Sequence, residues 1–246
     1  MGGTAESIYD QAPGMYGVDI SCPQGHSLRC LEAAQTFKMF SDISFEGKSV
    51  EERLNMLPPP GITPELIPQL FKNLSADQVE QLATIPPQVG GIFPNILVLF
   101  IFAPRMDGGS SGALALHTYV PRGPDKVEFV NFIFAEKDVP EQVKRDMLQN
   151  SVQASGTSGT IEQDDADVWP QIMRNSRGAA SKTMTLKYKA LHGHERPEGW
   201  KGDGLLYPGF TKDDTQWNWW LAYHKLMSEA CREQQSQAHD AIPTGF

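Results

Sequence analysis

The first third of the chain alternates short apolar runs with turn-forming residues. Val18, Ile20 and Cys22 have polar neighbours between them, and this period of two predicts a strand. Residues 57–64 include four prolines and are predicted to form a loop, because proline lacks a backbone donor and fixes φ. Helical signals follow this loop, with Ser75 and Gln78 spaced as a capping box.

The middle of the chain has the period of an antiparallel sheet. Apolar runs at 96–102, 113–120 and 127–134 are separated by turn residues, which predicts three strands of a meander. A helix is predicted next, with Asp138 as its cap. Its apolar stripe of Val139, Val143 and Met147 has i, i+4 spacing, and Leu148 and Val152 are expected to widen that stripe.

The last third predicts a further strand over 183–188 and a final amphipathic helix from about Thr211. Trp217, Trp220, Leu221 and His224 share one face of that helix. Strands and helices are segregated along the chain rather than alternating. The predicted class is therefore α+β, with an antiparallel sheet covered by helices.

Composition argues against several classes of function. The 246 residues carry 21 Lys+Arg against 30 Asp+Glu, and a net charge of −9 is atypical of a nucleic-acid binder. The most apolar run, 96–103, is far shorter than the roughly 20 residues of a membrane-spanning helix, and the start has no secretory signal. Three cysteines are too few for a disulfide scaffold. We expect a cytoplasmic protein with a single domain over residues 1–246 and a frayed tail over residues 232–246.

One carboxylate breaks the pattern of the helix predicted over 160–172. Asp165 falls inside the apolar stripe of that helix, which consists of Ile161, Val168, Trp169 and Ile172. In one interpretation it only complements the helix dipole near the N-terminus. In the other it is buried, and then it must be paired, protonated or metal-bound, because an isolated buried charge is too costly. The pattern alone leaves both interpretations open.

The segment TSGTIEQDDADVWPQI, residues 157–172, resembles the iron-carboxylate segment in the α subunits of Rieske non-haem iron aromatic-ring-hydroxylating dioxygenases. Stretches at 92–95, 118–132 and 209–227 resemble the same family in the same order, and residues 25–27 do so faintly. The resemblance implies a helix-grip fold with Asp165 as the catalytic iron ligand. It also implies that Ile161 and Ser155 line the substrate pocket.

The same resemblance implies a function. The chain would be the C-terminal catalytic domain of a terminal oxygenase that dihydroxylates an aromatic ring with O₂ at a mononuclear Fe(II). Electrons would come from a [2Fe–2S] Rieske cluster, supplied by ferredoxin and by a reductase that uses NAD(P)H. Other α subunits and a β subunit are the implied protein partners. The Rieske domain and the two iron histidines of the family have no match in these residues, so the isolated chain is expected to be inactive.

Local histidines offer no obvious replacement for these ligands. His192 and His194 form the tightest pair, but they lie in a Gly/Pro loop, where such pairs are usually solvated. His117 is interpreted as a strand-face residue, His26 as a structural hydrogen-bonding residue and His224 as a core or interface residue. The alternative function is a non-catalytic helix-grip protein that binds an apolar ligand or serves as an assembly piece.

Overall fold

The computed structural model describes residues 17–38, 44–104, 110–156, 158–159, 162–190, 202–208 and 213–240. Its strands are β1 (Gly17–Ser21), β2 (Ser27–Leu31), β3 (Pro87–Ile92), β4 (Ile96–Pro104), β5 (Ser110–Gly123), β6 (Lys126–Ile133) and β7 (Leu205–Pro208). Its α-helices are α1 (Ala33–Lys38), α2 (Val50–Met56), α3 (Ile67–Asn73), α4 (Ala76–Thr84), α5 (Glu141–Ser155), α6 (Glu162–Ser176) and α7 (Asp214–Asp240). Short 3₁₀ helices occupy Pro64–Leu66 and Ala180–Thr183. None of the described helices combines the length and apolar character needed to cross a membrane.

The described strands form one antiparallel sheet in the order β6-β5-β4-β3-β2-β1-β7. Neighbours in sequence are neighbours in space from β1 to β6, so this part is a continuous meander. The strand β7 returns to pair with β1 at the far edge. The predicted α+β class is confirmed, and the predicted three-strand meander forms β4, β5 and β6 at one end of the sheet.

The register separates the sheet into two faces. The face that carries Asp19, Arg29, Val89, Leu99 and Ala115 in one row is called the helix face. The last two helices contact it through side chains: Trp169 of α6 meets Tyr119, and Asn218 of α7 donates to Ser21 Oγ at 2.9 Å and Tyr207 Oη at 3.2 Å. The opposite face carries Ile20, Leu28, Gly90, Val98 and Leu116 in the adjacent row.

Helix α5 packs directly on β5. Its buried residues are Met147, Asn150, Ser151 and Ala154, which have the i, i+3, i+4, i+7 spacing of one helical face. Val139, just before the helix, is also buried, as the predicted stripe requires. The predicted widening of that stripe is wrong, because Leu148 is 52% exposed and Val152 is 55% exposed.

Helices α2, α3 and α4 form a small layer with its own apolar centre of Leu54, Ile67, Val79 and Ala83. Capping boxes begin two of these helices: Ser49 with Glu52 on α2, and Ser75 with Gln78 on α4, the second as predicted.

The proline-rich loop 57–63 follows α2 and packs between the helical layer and the sheet. A Cβ at Gly112 of β5 would lie 2.7 Å from Pro60 Cα, so only glycine allows the loop to approach the strand this closely. Gly61 has φ +80° and lies against Met147 of α5. The loop thus contacts β5 and α5 together.

Two sequence predictions for local structure are wrong. Residues 183–188 form no strand, since a 3₁₀ helix ends at Thr183 and the residues after it pair with no described neighbour strand. Asp138 does not cap α5, which starts after Pro140 with no side-chain cap. The final helix starts at Asp214 and runs to Asp240, past residue 232, while residues 241–246 lie outside the described part.

Candidate functional site

Asp165 lies in the first turn of α6 and is exposed, as are the other residues of the helix from Gln163 onward. The interpretation of Asp165 as a buried acid is therefore corrected. Its helical face is apolar, as the sequence indicated, but the described residues leave that face largely uncovered. The exposed fractions are 45% for Val168, 38% for Trp169 and 59% for Ile172. The carboxylate is accessible to a ligand rather than sealed in a core.

A tight turn joins α5 to the segment before α6. The Gly159 amide donates to the Gly156 carbonyl at 2.7 Å. An added Cβ at Gly156 would lie 2.4 Å from the Val152 carbonyl oxygen, and one at Gly159 would lie 2.4 Å from that of Ala154. Both positions therefore require glycine. Ser155 is half-buried at the last position of α5, directly before this turn, whereas Ile161 lies outside the described residues.

Four aromatic rings connect α6 to the sheet. Trp169 meets Tyr119 edge to face, with ring centroids 5.7 Å apart and planes at 72°. Tyr119 contacts Phe129 of β6 at 5.2 Å, and Phe129 contacts His117 of β5 edge to face at 4.9 Å. His117, Tyr119 and Phe129 all lie on the helix face of the sheet. The helix that carries Asp165 is thus linked to a buried imidazole by a continuous ring series.

His117 is the most deeply buried member of this series, at 0% exposed. Burial lowers its pKa, because the protein interior disfavours the charged imidazolium. The neutral ring therefore predominates at neutral pH and can act as a polar contact without carrying charge. Sequence reasoning placed His117 on a strand face, which is correct. Its importance could have been read from the alternation of Ala113, Ala115 and His117, since all three are buried on the side that faces α5.

The described residues do not form a complete iron site. They contain no group of three His, Cys, Asp or Glu side chains placed to hold a metal ion. Asp165 alone is too weak a donor set for Fe(II). His224 of α7 is exposed, which corrects its interpretation as a core residue, and His192 and His194 lie outside the described part. The mononuclear iron implied by the resemblance therefore does not fit the described residues by themselves.

The cysteines do not supply a Rieske site either. Cys22, Cys30 and Cys231 are free thiols: Cys22 follows β1, Cys30 lies on β2 and Cys231 lies on α7. Burial raises the pKa of the Cys30 thiol to about 12, and the nearby Asp19 carboxylate adds to the effect. A thiol held neutral in this way is a poor metal ligand.

His26 has the structural role predicted for it. Its Nδ1 accepts a hydrogen bond from the Phe93 amide at 3.0 Å, which ties the β1–β2 turn to the β3–β4 turn. His26 also borders an apolar groove of about 370 Å³ on the face opposite the helices, where Leu28, Val98 and Phe100 line the wall. The groove shares none of the predicted site residues.

The chain is similar in sequence to the α subunits of several aromatic-ring dioxygenases. It is 32% identical over 98 residues to the α subunit of chlorobenzene dioxygenase from Cupriavidus sp. (strain PS12), a match that covers 40% of this chain and 21% of that protein. It is 30% identical over 71 residues to the α subunit of biphenyl dioxygenase from Metapseudomonas furukawaii, which covers 29% of this chain and 16% of that protein. The chain matches no known protein-family profile.

The similarity to solved structures covers a larger part of the chain than the sequence matches do. Naphthalene 1,2-dioxygenase from Rhodococcus sp., bound to indole, superposes with a TM-score of 0.71 at 28% identity. The superposition covers 89% of this chain and 46% of the dioxygenase chain, so the chain spans about half the length of that relative. A naphthalene 1,2-dioxygenase variant bound to phenanthrene shares the fold, with a TM-score of 0.54 at 15% identity. The resemblance to the catalytic part of dioxygenase α subunits is confirmed.

Proposed function

We propose that this chain is the catalytic-domain part of a terminal oxygenase α subunit that dihydroxylates an aromatic ring. The observation that carries the proposal is the placement of α6. This helix presents the Asp165 carboxylate to solvent while Trp169 on the same helix contacts the sheet beside the buried His117. The similarity to naphthalene 1,2-dioxygenase over 89% of the chain supports the same reading.

In this proposal Asp165 supplies the carboxylate of the iron site. Because Asp165 is exposed, its carboxylate can bind an iron ion together with ligands from another part of the complete subunit. Ser155, at the end of α5, and Ile161, between the Gly159 turn and α6, would contribute to the wall of the substrate pocket. The exposed apolar side chains of Val168, Trp169 and Ile172 are suited to contact a flat hydrocarbon, which offers ring faces and edges but few hydrogen bonds.

The remaining parts of the system belong to the whole protein. Mononuclear Fe(II) would supply O₂ activation when held by Asp165 together with two histidines from outside the matched residues. A [2Fe–2S] Rieske cluster, a ferredoxin and an NAD(P)H-dependent reductase would deliver electrons, in a cytoplasmic assembly with other α subunits and a β subunit. Because the described residues hold one of these ligands, the isolated chain should be inactive.

Two experiments test this function. In anaerobic calorimetry, the isolated chain should show no one-to-one Fe(II) site of sub-micromolar affinity. If such a site appears and Asp165→Ala abolishes it, the missing ligands lie within this chain, and the assignment of an incomplete site is wrong.

The second experiment uses the complete α subunit reconstituted with ferredoxin and reductase and supplied with naphthalene or biphenyl. Asp165→Ala should abolish both the dihydrodiol product and the bound iron. The matched control is Asp164→Ala, which removes a neighbouring exposed acid from a different side of the helix and should retain both. Loss of iron in the control alone, or full activity in Asp165→Ala, would refute the proposal.

The alternative, a non-catalytic protein that binds an apolar ligand, is favoured by one observation. The groove on the opposite face is apolar, has a volume of about 370 Å³ and needs no metal. Iron content of the complete protein separates the two functions. Stoichiometric iron supports the oxygenase, whereas an iron-free protein that still binds naphthalene, and loses it on Val98→Asp, supports the alternative.

A further inference from the structure

Helix α6 is attached to the sheet at few points. From Gln163 to Ser176 every residue is exposed, so no buried apolar face fixes the orientation of the helix. Among the described residues, two side-chain contacts tie it to the β5–β6 hairpin. Trp169 meets Tyr119 in the middle of the helix, and Arg177, just after its end, pairs with Asp125 at 3.0 Å.

These two contacts differ in strength. The side chains of Arg177 and Asp125 are 60% and 57% exposed, and exposed ion pairs contribute little because water and salt screen them. The Trp169–Tyr119 contact has the edge-to-face geometry that aromatic pairs prefer. Of the two, the ring contact is the one that can hold the helix in a defined position.

The Trp169–Tyr119 contact is also supported by buried side chains of the sheet. Tyr119 packs on Phe129, and Phe129 packs on His117, which is completely buried on β5. The movement of each ring in the series is therefore restricted by its contact with the next ring. The position of Trp169 is therefore set by packed rings on β5 and β6 that lead to a fully buried side chain.

Asp165 precedes Trp169 by four residues, which is one helical turn. Residues at i and i+4 lie on the same face of a helix, one above the other. A rotation of α6 that moved Trp169 off Tyr119 would therefore carry the carboxylate with it. Pro170, directly after Trp169, removes one backbone hydrogen bond from the helix and makes such a bend less costly.

We propose that Trp169 is a positioning residue: its contact with Tyr119 sets the orientation of α6 and thereby the location of the Asp165 carboxylate. The catalytic meaning of that location rests on the proposed function. The geometric part does not, and it can be measured without iron or substrate.

The test is a distance measurement between α6 and the hairpin. Spin labels are placed on non-canonical residues at Val127 and Gln171, both exposed, so that the native cysteines stay untouched. Pulsed electron resonance should give one narrow distance distribution in the parent protein. Trp169→Ala should shift or broaden it, and Trp169→Phe should restore it, because phenylalanine keeps a ring at this position.

Two further variants serve as checks. Tyr119→Leu removes the contact from the other side and should reproduce the effect of Trp169→Ala, so the test survives if one variant fails to fold. The matched control is Trp220→Ala on α7, which removes a tryptophan of similar exposure, 44% against 38%, and should leave the distribution unchanged. An unchanged distribution in Tyr119→Leu and Trp169→Ala, or a failed rescue by Trp169→Phe, would overturn the proposal.

Activity of the complete subunit separates this inference from the proposed function. If the label distances change as expected but the complete subunit binds no iron and makes no dihydrodiol, positioning stands and the proposed function fails. If the oxygenase is active but the label distances do not change in Trp169→Ala and Tyr119→Leu, the positioning role is wrong and the proposed function stands. If both hold, Trp169→Ala should lower iron occupancy several-fold and Trp169→Phe should restore it.

Discussion

Acid should weaken this fold through one identifiable group, His117. Its imidazole is 0% exposed on the helix face of β5, and burial lowers its pKa from the ordinary value of 6.5. In the unfolded chain the same side chain is solvated and takes up a proton near that ordinary value. Below pH 6.5 the unfolded state therefore binds more protons than the folded state.

The sign and the ceiling of the effect follow from linkage. Stability is unaffected by this group above pH 6.5, falls as the pH drops through that value, and levels off once the folded protein can also be protonated. One proton per molecule limits the slope to about 1.4 kcal/mol per pH unit. Between pH 6.5 and 5.5 the free energy of unfolding should thus fall by up to about 1 kcal/mol, because the unfolded imidazole is already half protonated at pH 6.5.

The assay is urea unfolding at closely spaced pH values from 7.5 to 5.5. His117→Gln keeps a polar side chain of similar reach that does not titrate, and its stability should vary much less over this range. The absolute stability of this variant is irrelevant, because the comparison uses the slope with pH. His224→Gln removes an exposed imidazole and should keep the parent slope. Identical slopes in the parent and His117→Gln would refute the reasoning.

Three further outcomes follow from exposure and capping. Asp165→Asn should leave the urea midpoint unchanged, because the carboxylate is exposed; a large loss would reveal a structural partner. Ser75→Ala should lower the free energy of unfolding by about 1 kcal/mol, since it removes the side-chain acceptor for the Gln78 amide, and a neutral result would show that the cap is not needed. The double variant Val168→Ser/Ile172→Ser should reduce self-association in sedimentation, because it makes exposed apolar positions polar; a parent chain that is monomeric at all concentrations would contradict this.

The meander of β4, β5 and β6 could be predicted from sequence because its apolar runs are long and separated by clear turns. The run 96–102 became β4, and the turn residues at 121–126 became the β5–β6 hairpin. Ser75 was identified as a helix cap for a similar reason. The interaction is local, so four consecutive residues contain all of its chemistry.

Strands β3 and β7 could not be predicted, because their stability comes from partners distant in sequence. β3 starts at Pro87 and contains Gly90 and Gly91, residues with low strand propensity, yet it pairs on both sides with β2 and β4. β7 has four residues and pairs with β1, nearly 190 positions away. The alternation over 183–188 has no such partner among the described strands, and period alone did not make it a strand.

The site shows the same division between local pattern and tertiary context. A helical wheel gave the correct face for Asp165 and Trp169, since that depends only on spacing. It could not say whether the face is covered, because coverage depends on which other residues lie against it. The ring series from Trp169 to His117 was also hidden, since it joins three elements through contacts between residues up to about fifty positions apart.

Strand β5 explains why stability and site geometry should respond to different substitutions. Its early helix-face residues, Ala113 and Ala115, are small and buried, which lets α5 lie close and pack through Met147. Its later residues on the same face, His117 and Tyr119, carry rings. Tyr119 contacts Trp169 of α6 edge to face, and His117 supports it through Phe129. Enlarging the alanines should therefore destabilise the fold, whereas trimming the rings should move the acid-bearing helix while the core persists. A carboxylate held in this way can be repositioned by a single ring without rebuilding the domain.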